Sequence, residues 1–382
     1  MVPGLGRAGL VSAVPLAGQR VLVAPDSFGG SMSATEAADA IAAGWGDAVA
    51  ADTVAADTVA ADAVQTLPLS DGGPGFVDVL AAGLPGTIVD IEVSDPLGRP
   101  TRGAVLIVKS GGRRTAYVES AQACGLHLLQ PSERDPSRTT SAGVAALLHA
   151  ALAADVDQIV VGLGGSGTND AGSAMIDRLG ADAERLRGID LVVATDVDNP
   201  LLGPLGATAV FAAQKGATPE LLPVLEQRLA RFAEATAPEL VNVPGAGAAG
   251  GLGFALFALG GRRESGADLV LRELDVARLI AASDLVVTGE GALDAQSLRG
   301  KLPMRVAAGC HDAGVPCLAV AGRVLLGRQQ VAAAGFADAY SIEGYAGSLE
   351  AAIALGAEGL RGLAAQVATQ WRRQAARGGS GL

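Results

Sequence analysis

Aromatic side chains are scarce, at 3% of the 382 residues against 49% hydrophobic residues overall. Core volume must therefore come from aliphatic strands and closely packed helices, with 53 glycines serving the turns. Lysine is confined to Lys109, Lys215 and Lys301. Cysteine is limited to Cys124, Cys310 and Cys317, which form no CxxC pair and no even disulfide framework, so a reducing, cytoplasmic setting is expected. The three histidines, His127, His149 and His311, lack ligand spacing. A zinc site is therefore not expected, and proton chemistry falls to carboxylates. Positive charge is also short: a net charge of −12 opposes binding to nucleic acid or to an anionic membrane surface. The longest uncharged run, "VPGAGAAGGLGFALFALGG", crowds its glycines into one half and leaves a short apolar helix, not a membrane span. No GxxxxGK followed by Ser or Thr occurs, which excludes a Walker-type phosphate loop.

What is present is an alternation of short aliphatic runs with helical patterns. "RVLVA", "TIVDIEV", "AVLIV", "QIVVGLG", "DLVVATD", "DLVVTGE" and "PCLAVAG" read as strands, and "PVLEQRLARFAEAT" places Leu225, Leu229 and Phe232 at helical spacing. The length suits one large or two modest domains, and the pattern predicts an α/β fold with largely parallel sheet. Residues 1–19 read as a loose tail and the last residues, "ARGGSGL", as a frayed end. The five-residue repeat in "ADTVAADTVAADAVQ" matches no solenoid period and reads as a helix extension or surface segment.

Several turns carry chemistry-bearing groups. In "VLVAPDSFGGSMSATEAADAI", Asp26, Ser27, Gly29 and Gly30 stand where a strand meets a helix, the edge of an α/β sheet at which ligands bind. Ser33 and Glu36 form a capping box there, so that nearby N–H groups can face an anion. In "PLSDGGPGF", Asp71 and Gly72 permit a sharp turn and close backbone approach to a ligand, although an ordinary loop reads the same. "IVVGLGGSGTNDAGSAM" sets Gly162, Gly164 and Gly167 in GxGxxG spacing, the hook for a dinucleotide-dependent dehydrogenase, but no strand-end acid follows. Its Asn169 and Asp170, with Thr168, suit hydroxyls or phosphate oxygens, one of the three doubling as a helix cap. In "DLVVATDVDNP", extended geometry would put Asp196 and Asp198 on one face, a pair suited to Mg²⁺; an Asp turn before Pro200 is the competing reading. Lys215 in "FAAQKGATP" and Lys301 in "TGEGALDAQSLRGKLP", the latter with Glu290 and Asp294, occupy polar turns. At least one is expected to neutralise phosphate.

Taken in order, "APDSFGGSMSA", "LSDGGPG", "DPLGRP", "ERDPSRTTSAG", "GLGGSGTNDAG", "TDVDNPLLGPLGA", "QKGATPE", "GAGAAGGLG", "TGEGALDAQSLRGK" and "AVAG" cover nearly the whole chain. Together they resemble the glycerate kinase family, the bacterial type that phosphorylates D-glycerate with ATP. That resemblance implies a two-domain fold: a Rossmann-like domain from residues 20–75 and 285–382, and a second α/β domain, 76–284, inserted between its halves. It implies ATP and Mg²⁺ as cofactors, D-glycerate as substrate and 2-phosphoglycerate as the usual product; a homodimer is compatible with it. On this reading Asp26, Ser27, Asp71, Gly72, Gly164, Gly165, Asn169, Glu290 and Asp294 lie near substrate or phosphate. Asp196 and Asp198 hold Mg²⁺, Lys215 and Lys301 meet anionic oxygens, and the base is Asp196 or Asp170. Three positions depart from the family pattern: Gly29 replaces a lysine, Pro74 a glutamate and Ala292 an arginine. Arg138 is the candidate to make up the lost charge, and a non-catalytic homologue that binds sugar acids is the alternative the departures raise.

Overall fold

Alternation of side chains along the strands organises the molecule. The computed structural model describes residues 18–55 and 61–378. Within them, β1 (Arg20–Val23), β2 (Ala63–Thr66), β9 (Leu285–Leu293), β10 (Cys317–Val324) and β11 (Asp338–Ser341) form one sheet in the order β11-β10-β9-β1-β2, with every pairing parallel. The second sheet runs β3 (Gly86–Ser94), β4 (Pro100–Ser110), β5 (Arg113–Glu119), β6 (Gln158–Gly162), β7 (Asp190–Ala194) and β8 (Arg262–Glu264). Its pairings are antiparallel from β3 to β5 and parallel from β5 to β8. The fold is thus two-domain α/β, and each of the seven aliphatic runs read as strands forms one. Short β2, β8 and β11, and the polar β5, carry weaker patterns than those runs.

Successive residues of the central strands enter different cores, as a period of two requires. Leu22 and Ala24, Val286, and Cys317, Ala319 and Ala321 face a central core, while Val21, Val23, Leu285, Val287, Leu318 and Val320 face the outside of the first sheet. In the second sheet Leu106, Tyr117, Val160 and Val192 point to the same central core, and Val105, Val118, Ile159, Val161 and Val193 point away. The order of layers follows. Helices Phe76–Gly83, Gly266–Glu273 and Leu302–Ala313 fill the space between the sheets; Ala34–Ala55 and Leu349–Gly378 cover the outer face of one sheet; Val144–Ala153 and Ala248–Ala258 cover that of the other. Fully buried Trp45, Phe76 and Phe254 anchor the three cores, each stabilising by about 1.5–3 kcal/mol relative to exposure.

Local signals held where they were strong. Ser33 N–H donates to Glu36 Oε2 (2.8 Å) and Glu36 N–H to Ser33 Oγ (3.2 Å), so the capping box starts the first helix. Leu225 and Leu229 are buried in helix Leu222–Thr236, with Phe232 packed partly buried on the same core. The repeat continues that first helix to Ala55 and resumes in β2; residues 56–60 lie outside the described residues, as do most of the expected tail and the final four positions. No helix of the described residues is long and apolar enough to cross a membrane.

Candidate active site

Parallel strands deliver their carboxyl ends to one place, and in both sheets those ends carry the polar turns. Asp26 and Ser27 follow β1, Asp71, Gly73 and Pro74 follow β2, Gly164 and Gly165 follow β6, and Thr195 and Asp196 follow β7. Together they line a crevice of about 310 Å³. Backbone ladders carry the strands up to its walls: Asp26 N–H donates to Gly289 O (2.8 Å), and Leu163 N–H to Ala194 O (2.9 Å).

Glycines make the junction possible. A methyl group on Gly162 would stand 2.6 Å from Gly72 O, and one on Gly164 would stand 2.6 Å from Gly73 Cα. The glycine loop after β6 therefore packs backbone to backbone on the Asp71 turn, and Gly162 and Gly164 of the GxGxxG spacing serve this joint. Residues 163–172 separate β6 from helix Ser173–Leu179, so the helix N-terminus that a dinucleotide fingerprint needs is not at Gly164.

Negative charge is concentrated here. Burial raises the pKa of Asp26 to about 8, assisted by the charges of Asp71 and Glu290 and opposed by hydrogen bonds from Ser27. Asp71 is open to solvent in the crevice, yet crowded by its walls. That desolvation pushes its carboxyl above the usual range against the Gly73 N–H bond (3.0 Å), with Asp196 adding to the rise. Asp196 accepts from Ser265 Oγ (2.6 Å) and Ala267 N–H (3.1 Å) at the start of helix Gly266–Glu273, with Arg305 3.7 Å away. Glu290 is buried; one oxygen accepts from Lys301 Nζ at 3.0 Å and the other has no partner among the described residues. Lys301 also lowers the pKa of Asp71, which places its charge within reach of the crevice.

Other residues singled out in the sequence have different surroundings. Lys215 is buried, donating to Ser166 Oγ (2.9 Å) and Thr168 O (2.7 Å), and burial lowers its pKa to about 8. Asp170 accepts from Ser141 N–H (2.9 Å), Ser141 Oγ (2.8 Å) and Gly172 N–H (3.2 Å). Asn169 is buried and donates to Thr208 Oγ1 (3.1 Å). All three support the glycine loop from behind and none lines the crevice. Asp198 does not share a face with Asp196: it is exposed and paired with Arg263 at 2.6 Å. Because β7 ends at Ala194, strand alternation no longer applies to the pair. Asp294 accepts from Gln296 N–H and Ser297 N–H, shaping the turn that leads to Lys301. Arg138 is exposed on a loop outside the crevice lining, while Gly72 forms the joint described above. Sequence reading missed Arg305, whose guanidinium bridges Asp196 and Asp268. An arginine in the first turn of a helix carries no local signal of such a place.

The sequence model of the glycerate kinase family matches residues 21–185 and 182–372. The chain belongs to the glycerate kinase family. As a member it is 38% identical to a glycerate kinase of Bacillus subtilis strain 168, over 91% of this chain and 97% of that protein. It is 36% identical to a glycerate 2-kinase of Escherichia coli K12, over 79% of this chain and 85% of that one. A crystal structure described as glycerate kinase 2 from Salmonella typhimurium LT2 superimposes with a TM-score of 0.70 at 34% identity, covering 94% of this chain and 99% of that one. Of the three departures from the family pattern, Pro74 lines the crevice. Gly29 packs against β9, where a methyl group on Gly291 would meet Gly29 N at 3.0 Å. Ala292 belongs to β9, beyond Glu290 and Gly291.

Proposed function

We propose that the crevice transfers the γ-phosphoryl group of MgATP to a hydroxyl of D-glycerate, giving 2-phosphoglycerate. The observation that carries this reading is the convergence of Asp26, Asp71 and Asp196 at the strand ends of both sheets, beside Glu290 and Lys301. Burial first, and repulsion among neighbouring carboxylates second, raises the proton affinity of Asp26 and Asp71, and this concentration of negative charge fits a hard divalent cation. No cluster of three or more His, Cys, Asp or Glu side chains is preformed for a metal among the described residues. Mg²⁺ takes one or two carboxylates and fills its shell with water and phosphate.

Asp71 and Asp196, whose charges act on one another, are the residues that would hold the cation. Bound there, it would neutralise charge on the transferred phosphoryl group. Lys301 and Arg305 supply positive charge at the same wall, and the glycine joint keeps both halves of the site in register. A carboxylate whose proton affinity lies near neutrality, as for Asp26, is suited to accept the proton of an attacking hydroxyl. Catalysis then rests on positioning and charge, the normal division of labour in phosphoryl transfer.

An ADP-release assay with MgATP and a panel of small hydroxy acids tests the reading, with the phosphorylated position assigned by NMR. Turnover restricted to D-glycerate, with phosphate on the 2-hydroxyl, is expected. Binding without ADP release would identify a non-catalytic homologue. Thermal stabilisation by NAD(H) or NADP(H), and none by MgATP, would overturn the kinase reading.

A further inference from the structure

A second cavity, of about 120 Å³, lies on the other side of the turn after β1. Its lining is mainly apolar: Phe28, Met32, Ile342, Leu349, Ala352 and Ile353. Backbone of β9 and β10 at Gly291 and Gly322 contributes to the walls, together with Arg323, which donates to Glu343 Oε2 at 3.0 Å. The two cavities are one residue apart along the chain at this turn, since Ser27 lines the acidic crevice and Phe28 lines the apolar cavity. On β9 likewise, Glu290 acts on Asp26 through its charge while Gly291 lines the apolar cavity. Gly29 and Gly30 follow Phe28 in the same turn, both exposed with φ of 57° and 83°, and their N–H groups make no hydrogen bond among the described residues.

We infer that this cavity receives the purine base of the nucleotide, with the Gly29–Gly30 turn under the sugar and first phosphates and the terminal phosphate in the acidic crevice. The inference rests on the kinase reading above and adds the place of the base. Three features point to a nucleotide. An apolar slot beside a strongly polar crevice matches a molecule with a flat aromatic end and an anionic end. Successive free N–H groups of left-handed glycines suit phosphate oxygens and tolerate any base. Leu349 and Ile353 expose 38% and 69% of their surface at the mouth, apolar area that a stacked ring would cover. Gly356, where helix Leu349–Gly378 kinks (φ 52°, ψ −126°), also lines the cavity, so the break shapes this wall.

Steady-state kinetics of Ala352→Phe and Ile353→Ala, with photolabelling by 8-azido-ATP, test the assignment. Ala352→Phe fills the slot and should raise KM for ATP by about tenfold or more, with KM for glycerate within about twofold of wild type. Ile353→Ala trims an exposed side chain that the fold does not need, and should raise KM for ATP about threefold. The label should fall between Leu349 and Gly356 or on Phe28–Met32. Wild-type turnover with MgATP, combined with unchanged ATP constants in both variants and labelling elsewhere, overturns the base site and leaves the kinase reading intact. A wild type that neither turns over nor binds ATP refutes both. A change of molecular mass in light scattering on Ile353→Ala, without a change in KM for ATP, would mark the slot as a contact between two copies and also overturn the inference.

Discussion

Lys301 and Lys215 occupy alike settings in the sequence and opposite ones in the structure. Each adjoins a left-handed glycine, Gly300 or Gly216, with φ of 96° in both, and each lies close to a short 3-10 turn. Lys301 keeps its side chain 44% exposed and pairs with Glu290 at the crevice wall. Lys215 is 2% exposed and spends its donors on Ser166 Oγ and Thr168 O, behind the loop that Gly164 and Gly165 present to the same crevice. One lysine puts its charge beside the reacting region; the other fixes the shape of a wall. A lysine in a polar glycine turn thus says nothing by itself about where its ammonium group goes.

Substitutions in the crevice should have the largest effect. Asp71→Asn removes a negative group from the centre of the carboxylate cluster, and kcat for phosphoryl transfer should fall by about 10²- to 10³-fold, measured as ADP release. Folding should survive, since Asp71 is open to solvent and the amide retains an oxygen for the Gly73 N–H.

The lysine pair can then be separated directly. Lys301→Met should lower kcat/KM by about tenfold and cost less in urea unfolding than the change at Lys215, because the half-exposed Lys301 site stays open to water even though buried Glu290 loses its ion partner. Lys215→Met should do the reverse. It leaves buried Thr168 O and Ser166 Oγ without their donor, a cost of about 1–3 kcal/mol in urea unfolding, with a smaller loss of activity. Equal stability losses in the two variants would break the comparison.

Protonation gives the same contrast with opposite signs. Asp26 has its pKa raised from 3.8 to about 8, so between those values the unfolded chain holds fewer protons than the folded one. Its contribution to stability is complete below pH 3.8 and is lost as pH rises to about 8. Lys215 is lowered from 10.5 to about 8, so in that range the unfolded chain holds more protons, and its contribution makes stability rise with pH. Urea midpoints of Asp26→Asn relative to wild type should therefore improve from pH 4 to 8, whereas Lys215→Met should lose ground from pH 8 to 10.5.

Much of this architecture is legible in the residues themselves. Seven aliphatic runs gave strands because alternating burial leaves a strong mark in "QIVVG" or "DLVVA", and the polar turns after them fall at strand ends because connections must pass there. Asp26, Asp71 and Asp196 stand out for that reason. Their convergence rests on the glycine joint between two loops some ninety positions apart, about 72 to 164 in the numbering, and no local pattern encodes such a pairing. Arg305 was missed for a related cause: only the packing of Leu302–Ala313 between the sheets brings this first-turn arginine to Asp196. Lys215 carried no sign of burial, since two hydrogen bonds to a distant loop are what make its burial tolerable.

Asp198 gives the smallest expected effect and the sharpest limit on the cation's place. Two-residue spacing brings carboxylates to a common face only while the chain stays extended in a strand, and β7 stops before either aspartate. Beyond that point Asp196 turns to the start of helix Gly266–Glu273, and Asp198 turns to Arg263 with its side chain 76% exposed. If the cation is held by Asp71 and Asp196, Asp198→Ala should change kcat and the Mg²⁺ concentration needed for half-maximal rate by less than about twofold. Loss of the exposed Arg263 pair should cost no more than about 1 kcal/mol. A tenfold rise in the Mg²⁺ requirement would instead show that the segment after β7 rearranges to bring both aspartates to the metal, and the crevice as described would then be an open form of the site.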